Sequence, residues 1–376
     1  MGGSAFKLLQ TSSFPRLPSP VYQALKARLT PVLQQIYHYV AVPAEAPEKM
    51  DHGDLDFVVY QPRVSSSHCL TPASLVNAPH EQVKTALGAS HCILEDGNRT
   101  SNFAIAVDPG AWGSVGCAEQ EENFRQAADE HVIYYQVDVH VCANKNEWER
   151  VVYFHSYGDL GMIQGLVATN VGLVLGANGL KFAHPPHPTL TLSQDFARIA
   201  KFFGWSNERR SLGFNTRQEV FEWVSESRFF DPQYIRTSEK GRGKVKAQRK
   251  MYFDFVAWAN ERLAQSGATS VDMEKVERRQ ERVREEALVE FGRRDEVATV
   301  VREFEGRKKL KSGFKGTVVD AWIGSNGNWR KVKTVMDKVR ERHGGEEGLL
   351  RILESEGEDG LKQRVMSALE ESTSIP

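Results

Sequence analysis

Two aspartates stand two residues apart at the start of a predicted strand. Residues 52–59 read HGDLDFVV, and the two acids are Asp54 and Asp56. Because side chains alternate across a strand, these carboxylates share one face, while Leu55 and Phe57 point to the core. A face that carries two carboxylates can hold cations, and Mg²⁺ prefers oxygen ligands.

A third aspartate lies on the clearest strand of the sequence, residues 132–141. The hydrophobic residues of this strand alternate with a polar set, which is Tyr134, Gln136, Asp138 and His140. Asp138 therefore projects from a half-polar strand. Three carboxylates brought together repel one another unless divalent cations lie among them. Mg²⁺, held by carboxylate and phosphate oxygens, is the expected occupant, and Mn²⁺ is the alternative.

The sequence around these acids predicts helices and strands that form a mixed α/β domain over residues 20–188. A helix is predicted at 21–33, where Pro31 is expected to kink it or end it early. The further predictions are strands at 36–42, 55–60, 92–94, 102–107, 148–155 and 180–183, and helices at 79–87 and 158–175.

The second half of the sequence, residues 189–376, has an almost wholly helical pattern. Its most charged stretch, 272–305, alternates acids and bases, as an exposed helix does. Residues 236–250 contain seven basic residues, one acid and two glycines, and are predicted to be a basic loop. The predicted fold class is α+β, with a mixed-sheet domain followed by a mostly α-helical domain.

Composition narrows the classes of function. The chain has 376 residues and a net charge of -1, which argues against a polybasic protein. Residues 1–188 carry 12 basic and 18 acidic side chains, whereas residues 189–376 carry 36 basic and 31 acidic side chains. The second half is therefore net basic and is suited to hold an anionic substrate. Four cysteines without a CxxC pair, no secretory leader and no long apolar run predict an intracellular protein, cytoplasmic or nuclear, without a membrane segment.

Residues 53–56 form a Gly-Asp-x-Asp segment that follows a helix and a strand, and a third aspartate lies on a later alternating strand. In this arrangement the sequence resembles the DNA polymerase beta-like nucleotidyltransferase superfamily. That superfamily includes template-independent enzymes such as poly(A) polymerases and CCA-adding enzymes. The resemblance covers roughly residues 20–185 and includes the order of elements. It implies two-metal nucleotidyl transfer, in which Asp54 and Asp56 hold both Mg²⁺ ions and the triphosphate, and Asp138 helps to ligate the metal that activates the attacking hydroxyl.

One feature of that family is missing. Its members usually carry a Gly-Ser or Gly-Gly pair at a helix start just before the acidic pair, and the backbone N–H groups there cradle the triphosphate. The corresponding loop here, residues 44–52, reads AEAPEKMDH. The phosphate-binding candidates in its place are Lys49, His52 and the backbone of Gly53.

A second candidate for nucleotide binding is the segment 155–159, which reads HSYGD and precedes a predicted helix. Free N–H groups at a helix start can bind phosphate, so Ser156, Tyr157 and Asp159 are candidate contacts to phosphate or to the nucleotide sugar. Ser156 and Asp159 can equally be ordinary N-caps. In the basic loop, the candidate acceptor-binding residues are Lys240, Arg242, Lys244 and Lys246.

Two hypotheses of different classes follow. The first is an Mg²⁺-dependent nucleotidyltransferase that moves a nucleoside monophosphate from an NTP, ATP or CTP being the first candidates, to an acceptor hydroxyl. The acceptor can be an RNA 3′ end, a small molecule or a protein. The second is a catalytically silent nucleotide- or RNA-binding protein that keeps the fold. An intact set of three aspartates favours the enzyme, and the missing glycine pair favours the silent binder.

Overall fold

The computed structural model describes residues 5–6, 13–63, 80–94, 99–235, 245–266 and 273–373. The strands are β1 (Leu17–Pro18), β2 (Tyr37–Ala41), β3 (Asp51–His52), β4 (Leu55–Pro62), β5 (His91–Ile93), β6 (Thr100–Ala106), β7 (Tyr134–Val141), β8 (Leu173–Gly176), β9 (Gly179–Phe182) and β10 (Leu190–Ser193). The helices of the same region are α1 (Ser19–Ile36), α2 (His80–Leu87), α3 (Ala118–Ala127), α4 (Lys145–His155) and α5 (Leu160–Asn170).

The described chain after β10 is helical. Its helices are α6 (Phe196–Phe203), α7 (Asn207–Ser211), α8 (Arg217–Ser225), α9 (Lys250–Ser266), α10 (Met273–Glu290), α11 (Arg294–Gly313), α12 (Gly316–Ile323), α13 (Trp329–Arg342) and α14 (Gly345–Thr373), the last with a kink at Gly357. No helix in the described ranges is both long enough and apolar enough to cross a membrane.

Five of the described strands form one sheet in the order β2-β4-β7-β6-β5. Its neighbours β4 and β7 are parallel, and the other pairs are antiparallel. Two smaller sheets pair β1 with β3 and join β8, β9 and β10. The predicted mixed α/β class with a mixed sheet is therefore confirmed.

One face of the large sheet packs against α1. Leu55, Phe57 and Val137 are fully buried there, together with Leu29 and Leu33 of the helix. The predicted alternation of apolar and polar residues on β4 and β7 is thus confirmed, and the acids lie on the opposite face. Burial of five such side chains stabilises the fold by roughly 1.5–3 kcal/mol each before the entropy of ordering is subtracted.

Pro31 does not end α1, which continues to Ile36. The proline removes one helical N–H, so the carbonyl of Ala27 loses its usual partner. Both Pro31 and Ala27 are on the exposed side of the helix, where water can bind that carbonyl. The expected early end of the helix is therefore wrong.

Two other predicted elements differ from the structure. Residues 148–155, predicted as a strand, lie in helix α4, which begins after Asn144 because the side chain of Asn144 accepts the N–H of Glu147. The indole of Trp148 then reaches the sheet and donates to the carbonyl of Val58 at 2.9 Å. The helix predicted over 158–175 ends at Asn170, because Gly172 adopts a φ of 79° and the chain turns into β8.

The chain divides into two compact units. The first is Met1–Phe182 with Thr191–Glu290, and the second is Ala183–Leu190 with Phe291–Pro376. Helices α6 to α10 thus belong to the same unit as the sheet, and the predicted domain boundary at 188/189 does not coincide with the division at 290/291. The charged stretch 272–305 is correspondingly two helices, α10 and α11, separated at Gly292, which has a φ of 65°.

Candidate active site

The three acids predicted from the sequence come together on the polar face of the large sheet. Asp54 immediately precedes β4, Asp56 is the second residue of that strand, and Asp138 is the direct register partner of Asp56 on the parallel strand β7. Neighbouring strands lie about 4.8 Å apart, and register partners in them point to the same side. Strand pairing thus places Asp56 and Asp138 side by side, although 82 residues separate them in the sequence.

The row of polar side chains extends to a third strand. Asn102 on β6 is the register partner of Asp138, and its amide donates to Oδ1 of that residue at 2.7 Å. The amide of Gln136 donates to both oxygens of Asp138, at 3.0 and 3.1 Å. Two amides therefore fix the orientation of the third carboxylate. The sequence analysis did not single out Asn102. Its neighbours Ser101 and Phe103 face the core, so the alternation of side chains along a strand places Asn102 on the polar face.

The electrostatics of this row disfavour a full set of negative charges. Desolvation, followed by the charges of Asp54 and Asp138, raises the pKa of Asp56 to about 7. Desolvation also raises the pKa of Asp138 to about 6, against the effect of the Asn102 hydrogen bond. The side chain of Asp56 is nevertheless open to solvent, so an ion can reach it. A cation at this position would relieve the repulsion from Asp54, which adds to desolvation in raising both pKa values.

The acids do not form a ready-made metal cage. Within the described ranges, no group of three His, Cys, Asp or Glu side chains is arranged to hold a metal ion. Mg²⁺ commonly uses only one or two carboxylates, with water and substrate phosphates completing its shell, so the donor set fits Mg²⁺ bound together with a nucleotide.

The three phosphate-binding candidates before β4 occupy different environments. Lys49 is exposed, and its charge lowers the pKa of Asp56, which places it within electrostatic reach of the acids. Gly53 is buried. His52 is only 1% exposed and stacks on Tyr22 with ring centroids 3.7 Å apart. Burial lowers the pKa of His52 to about 4, so the ring is neutral near pH 7 and gives a phosphate no positive charge.

Ser156 and Tyr157 are bound to the loop that precedes the acids. The hydroxyl of Ser156 accepts the N–H of Ala44 at 3.1 Å and donates to the carbonyl of Val152 at 2.7 Å. The N–H of Tyr157 donates to the carbonyl of Ala44 at 2.6 Å. In the structure, these groups hold the loop 44–52 in place rather than standing free for a nucleotide.

Gly158 completes this contact. A Cβ at this residue would lie 2.7 Å from Cβ of Ala46, and the backbone has a φ of 67°. Only glycine satisfies both conditions without strain. The turn 156–158 and the loop 44–52 therefore pack at a distance that no larger residue permits.

Asp159 is buried and anchors α9. Its carboxylate accepts the N–H of Tyr252 in the first turn of that helix at 3.3 Å, and it pairs with Arg249 at 3.1 Å. It does not cap its own helix, α5, with a side-chain hydrogen bond. The carboxylate thus acts as an N-cap for a helix about ninety residues away in the sequence.

Asp159→Ala is expected to destabilise the protein by about 1–2 kcal/mol, the usual cost of a lost N-cap. Urea unfolding measures this loss, and Asp108→Ala, at an exposed acid of the same unit, is the matched control. Unchanged stability combined with weaker nucleotide binding would instead support the predicted contact between Asp159 and the nucleotide.

The basic loop 236–250 is described only in its last residues. Lys240, Arg242 and Lys244 lie outside the described ranges, and Lys246 is exposed. The end of the loop approaches the turn described above, since Arg249 pairs with Asp159 and its charge lowers the pKa of His155. The predicted role of the loop in acceptor binding stays a prediction.

No protein-family model matches the chain, and no curated protein matches it at a significant level.

Proposed function

We propose that this protein is an Mg²⁺-dependent nucleotidyltransferase that moves a nucleoside monophosphate from an NTP to an acceptor hydroxyl. The observation that carries the proposal is the register pairing of Asp56 with Asp138 on adjacent parallel strands, with Asp54 close enough to raise the pKa of both. Clusters of acids with perturbed pKa values that face solvent occur more often at functional sites than elsewhere.

Each of the three acids would bind metal at a different position in the site. Asp54 and Asp56, at the entry of β4, would hold the two ions and, through them, the triphosphate. Asp138 would ligate the ion next to the attacking hydroxyl, in an orientation set by Asn102 and Gln136. When bound, the ions stabilise the charge that develops on the entering and leaving oxygens. The exposed ammonium of Lys49 is available for a phosphate oxygen.

Asn102→Ala is expected to lower the apparent affinity of the site for Mg²⁺ by about 10- to 100-fold, as the loss of a residue that orients a metal ligand typically does. Without this donor the pKa of Asp138 rises further, so the acidic limb of the pH–rate profile moves to higher pH. Ser101→Ala, on the opposite face of β6, should leave the profile unchanged. A parallel loss of activity at every pH and every Mg²⁺ concentration would contradict a positioning role for Asn102.

The proposal names classes of acceptor and nucleotide and does not identify one molecule of either. An RNA 3′ end, a small-molecule hydroxyl and a protein hydroxyl all fit a site built of carboxylates, and ATP and CTP are the first nucleotides to test. The basic residues of the loop 236–250 would bind an anionic acceptor through its phosphates, without reading its sequence.

A catalytically silent nucleotide- or RNA-binding protein is the second candidate. Two observations favour it: the loop 44–52 lacks the glycine pair, and its backbone at Ala44 is engaged by Ser156 and Tyr157. A backbone committed to these partners has fewer N–H groups to offer a triphosphate. Binding without transfer is what this candidate predicts.

The decisive experiment incubates the purified protein with each labelled NTP, Mg²⁺ or Mn²⁺, and a pool of short RNAs. We expect label to move to the acceptor. In parallel, a hundredfold excess of NTP and Mg²⁺ over Kd should stabilise the protein by about 2.7 kcal/mol. A melting shift without transfer would select the silent binder. No shift and no transfer would contradict both candidates, and the acidic pair would then be only the entry of a strand.

A further inference from the structure

An exposed tryptophan lies among basic residues in the second compact unit. Trp329, the first residue of α13, is 57% exposed, although most large apolar side chains of this unit are buried. Its ring lies over the start of α12, where a side-chain carbon on Gly316 would be 3.7 Å from ring atom Cζ3. One edge of the indole therefore lies close to the backbone of α12, while much of its surface remains accessible.

The charges around this ring are positive. Residues 307–342 carry eleven Lys or Arg and three Asp or Glu, whereas residues 343–373 carry three basic and eight acidic residues. Lys315 precedes Gly316, Arg330 follows the tryptophan, and Lys333 lies one turn further along α13. Lys315 is adjacent in sequence to Gly316, Arg330 is adjacent to Trp329, and Lys333 is four residues from Trp329, so all three cations lie near the segments that hold the ring.

These cations are not neutralised by neighbours. Elsewhere on α13, Arg340 pairs with Asp337 and Arg342 pairs with Glu371. Among the described residues, no acid lies within ion-pair distance of the exposed Lys315 and Arg330, or of Lys333. We call Lys315, Trp329, Arg330 and Lys333 the tryptophan patch.

We infer that the tryptophan patch binds single-stranded nucleic acid. Proteins that bind single strands without reading their sequence combine a basic surface, which follows the phosphates, with aromatic rings on which bases stack. The patch offers both: an open indole face for a base and three unpaired cations for the flanking phosphates. A duplex hides its bases from such a ring, so the patch fits a single strand better than a duplex.

This inference goes beyond the proposed transfer reaction, because it concerns a surface of the other compact unit and makes no use of the three aspartates. It also gives the chain a means of holding a polynucleotide whether or not the site at Asp56 is active. The two ideas can therefore fail independently.

Binding of a labelled oligouridylate of about 16 nucleotides to the full chain tests the tryptophan ring. Trp329→Ala should weaken binding about 5- to 100-fold through the loss of stacking, and Trp329→Phe should restore most of the affinity because a ring is retained. Asp108→Asn, at an exposed acid of the first compact unit, should bind like the wild type. Thermal melting of each variant verifies that it is folded, and Trp329→Phe keeps the test decisive if the alanine variant is unstable.

A second measurement tests the cations. Arg330→Ala/Lys333→Ala should reduce the slope of log affinity against log salt by about 1.4, since each phosphate contact to a single strand contributes about 0.7. Arg351→Ala/Lys362→Ala removes the same charge from exposed positions of α14 and should leave the slope unchanged.

Three results would overturn the inference. The first is wild-type affinity in Trp329→Ala, and the second is an equal fall in salt slope in the control pair. The third is binding of duplex RNA, an acidic peptide or anionic phospholipid vesicles with the same dependence on Trp329, which would mark the patch as a general anion surface or as the site of another partner.

Discussion

Asp56→Asn is expected to lower metal-dependent nucleotide transfer by about 10³-fold, because a bound metal supplies several kcal/mol of transition-state stabilisation that a neutral amide cannot hold in place. Asp56 is the register partner of Asp138 and lies two residues after Asp54, and the charges of both acids act on it. The substitution is nearly isosteric and the side chain is open to solvent, so the fold should be retained.

The transfer rate at saturating Mg²⁺ is the measurement for this prediction. Asp108→Asn is the matched control, since it makes the same change of charge at an exposed acid in the loop after β6. Transfer by Asp56→Asn at the wild-type rate would show that the reaction, if the protein performs one, takes place elsewhere. Equal losses in both variants would point to the overall charge of the unit rather than to this site.

The acids of the site could be predicted from the sequence because each stands in a locally readable pattern. The alternation of residues 132–141 gave the face of Asp138, and the spacing of Asp54 and Asp56 gave theirs. Their pairing across β4 and β7 depended on the resemblance to a family, since no local pattern says which strands are neighbours. Asn102 is an example: the strand that contains it was predicted, but its hydrogen bond to Asp138 depends on the order of strands in the sheet, which the sequence pattern does not give.

Contacts between distant parts of the chain could not be predicted from local patterns. The β-branched and aromatic residues of 148–155 favour a strand by propensity, yet the Asn144 cap and the bond from Trp148 to Val58 select a helix. Ser156, Tyr157 and Asp159 had the residue types of phosphate ligands or caps. In the structure they bind Ala44 and the start of α9, partners that lie roughly ninety or more residues away.

In the absence of metal, the stability of the wild type relative to Asp56→Asn is expected to fall as the pH rises from about 4 to about 7. The pKa of Asp56 is about 7 in the folded state, above its ordinary value of 3.8, so the folded state binds more protons than the unfolded state between these values. Stability contributed by such a group is present at low pH and is lost as the pH rises through the folded-state pKa.

The test uses the difference in free energy of unfolding between the wild type and Asp56→Asn, because other groups titrate in the same pH range and change stability in the opposite direction. His52 has a folded-state pKa of about 4, below its ordinary value of 6.5, so it destabilises the fold as the pH falls. His140 and His155 also have lowered pKa values, caused first by desolvation. These contributions are common to the wild type and to Asp56→Asn and cancel in the difference.

Urea unfolding at a series of pH values should therefore show an advantage for Asp56→Asn that is smallest near pH 4 and grows to about 1 kcal/mol near pH 8, a limit set by the solvent exposure of the side chain. Millimolar Mg²⁺ with an NTP should reverse the order at pH 8, because only the wild type retains the full set of ligands and a ligand stabilises the state that binds it. A difference that does not change with pH would mean that neither desolvation nor the neighbouring acids raise the pKa of Asp56 in the folded protein. A pH-dependent difference that Mg²⁺ and NTP fail to reverse would mean that the pKa of Asp56 is raised but that the site binds no metal with the nucleotide.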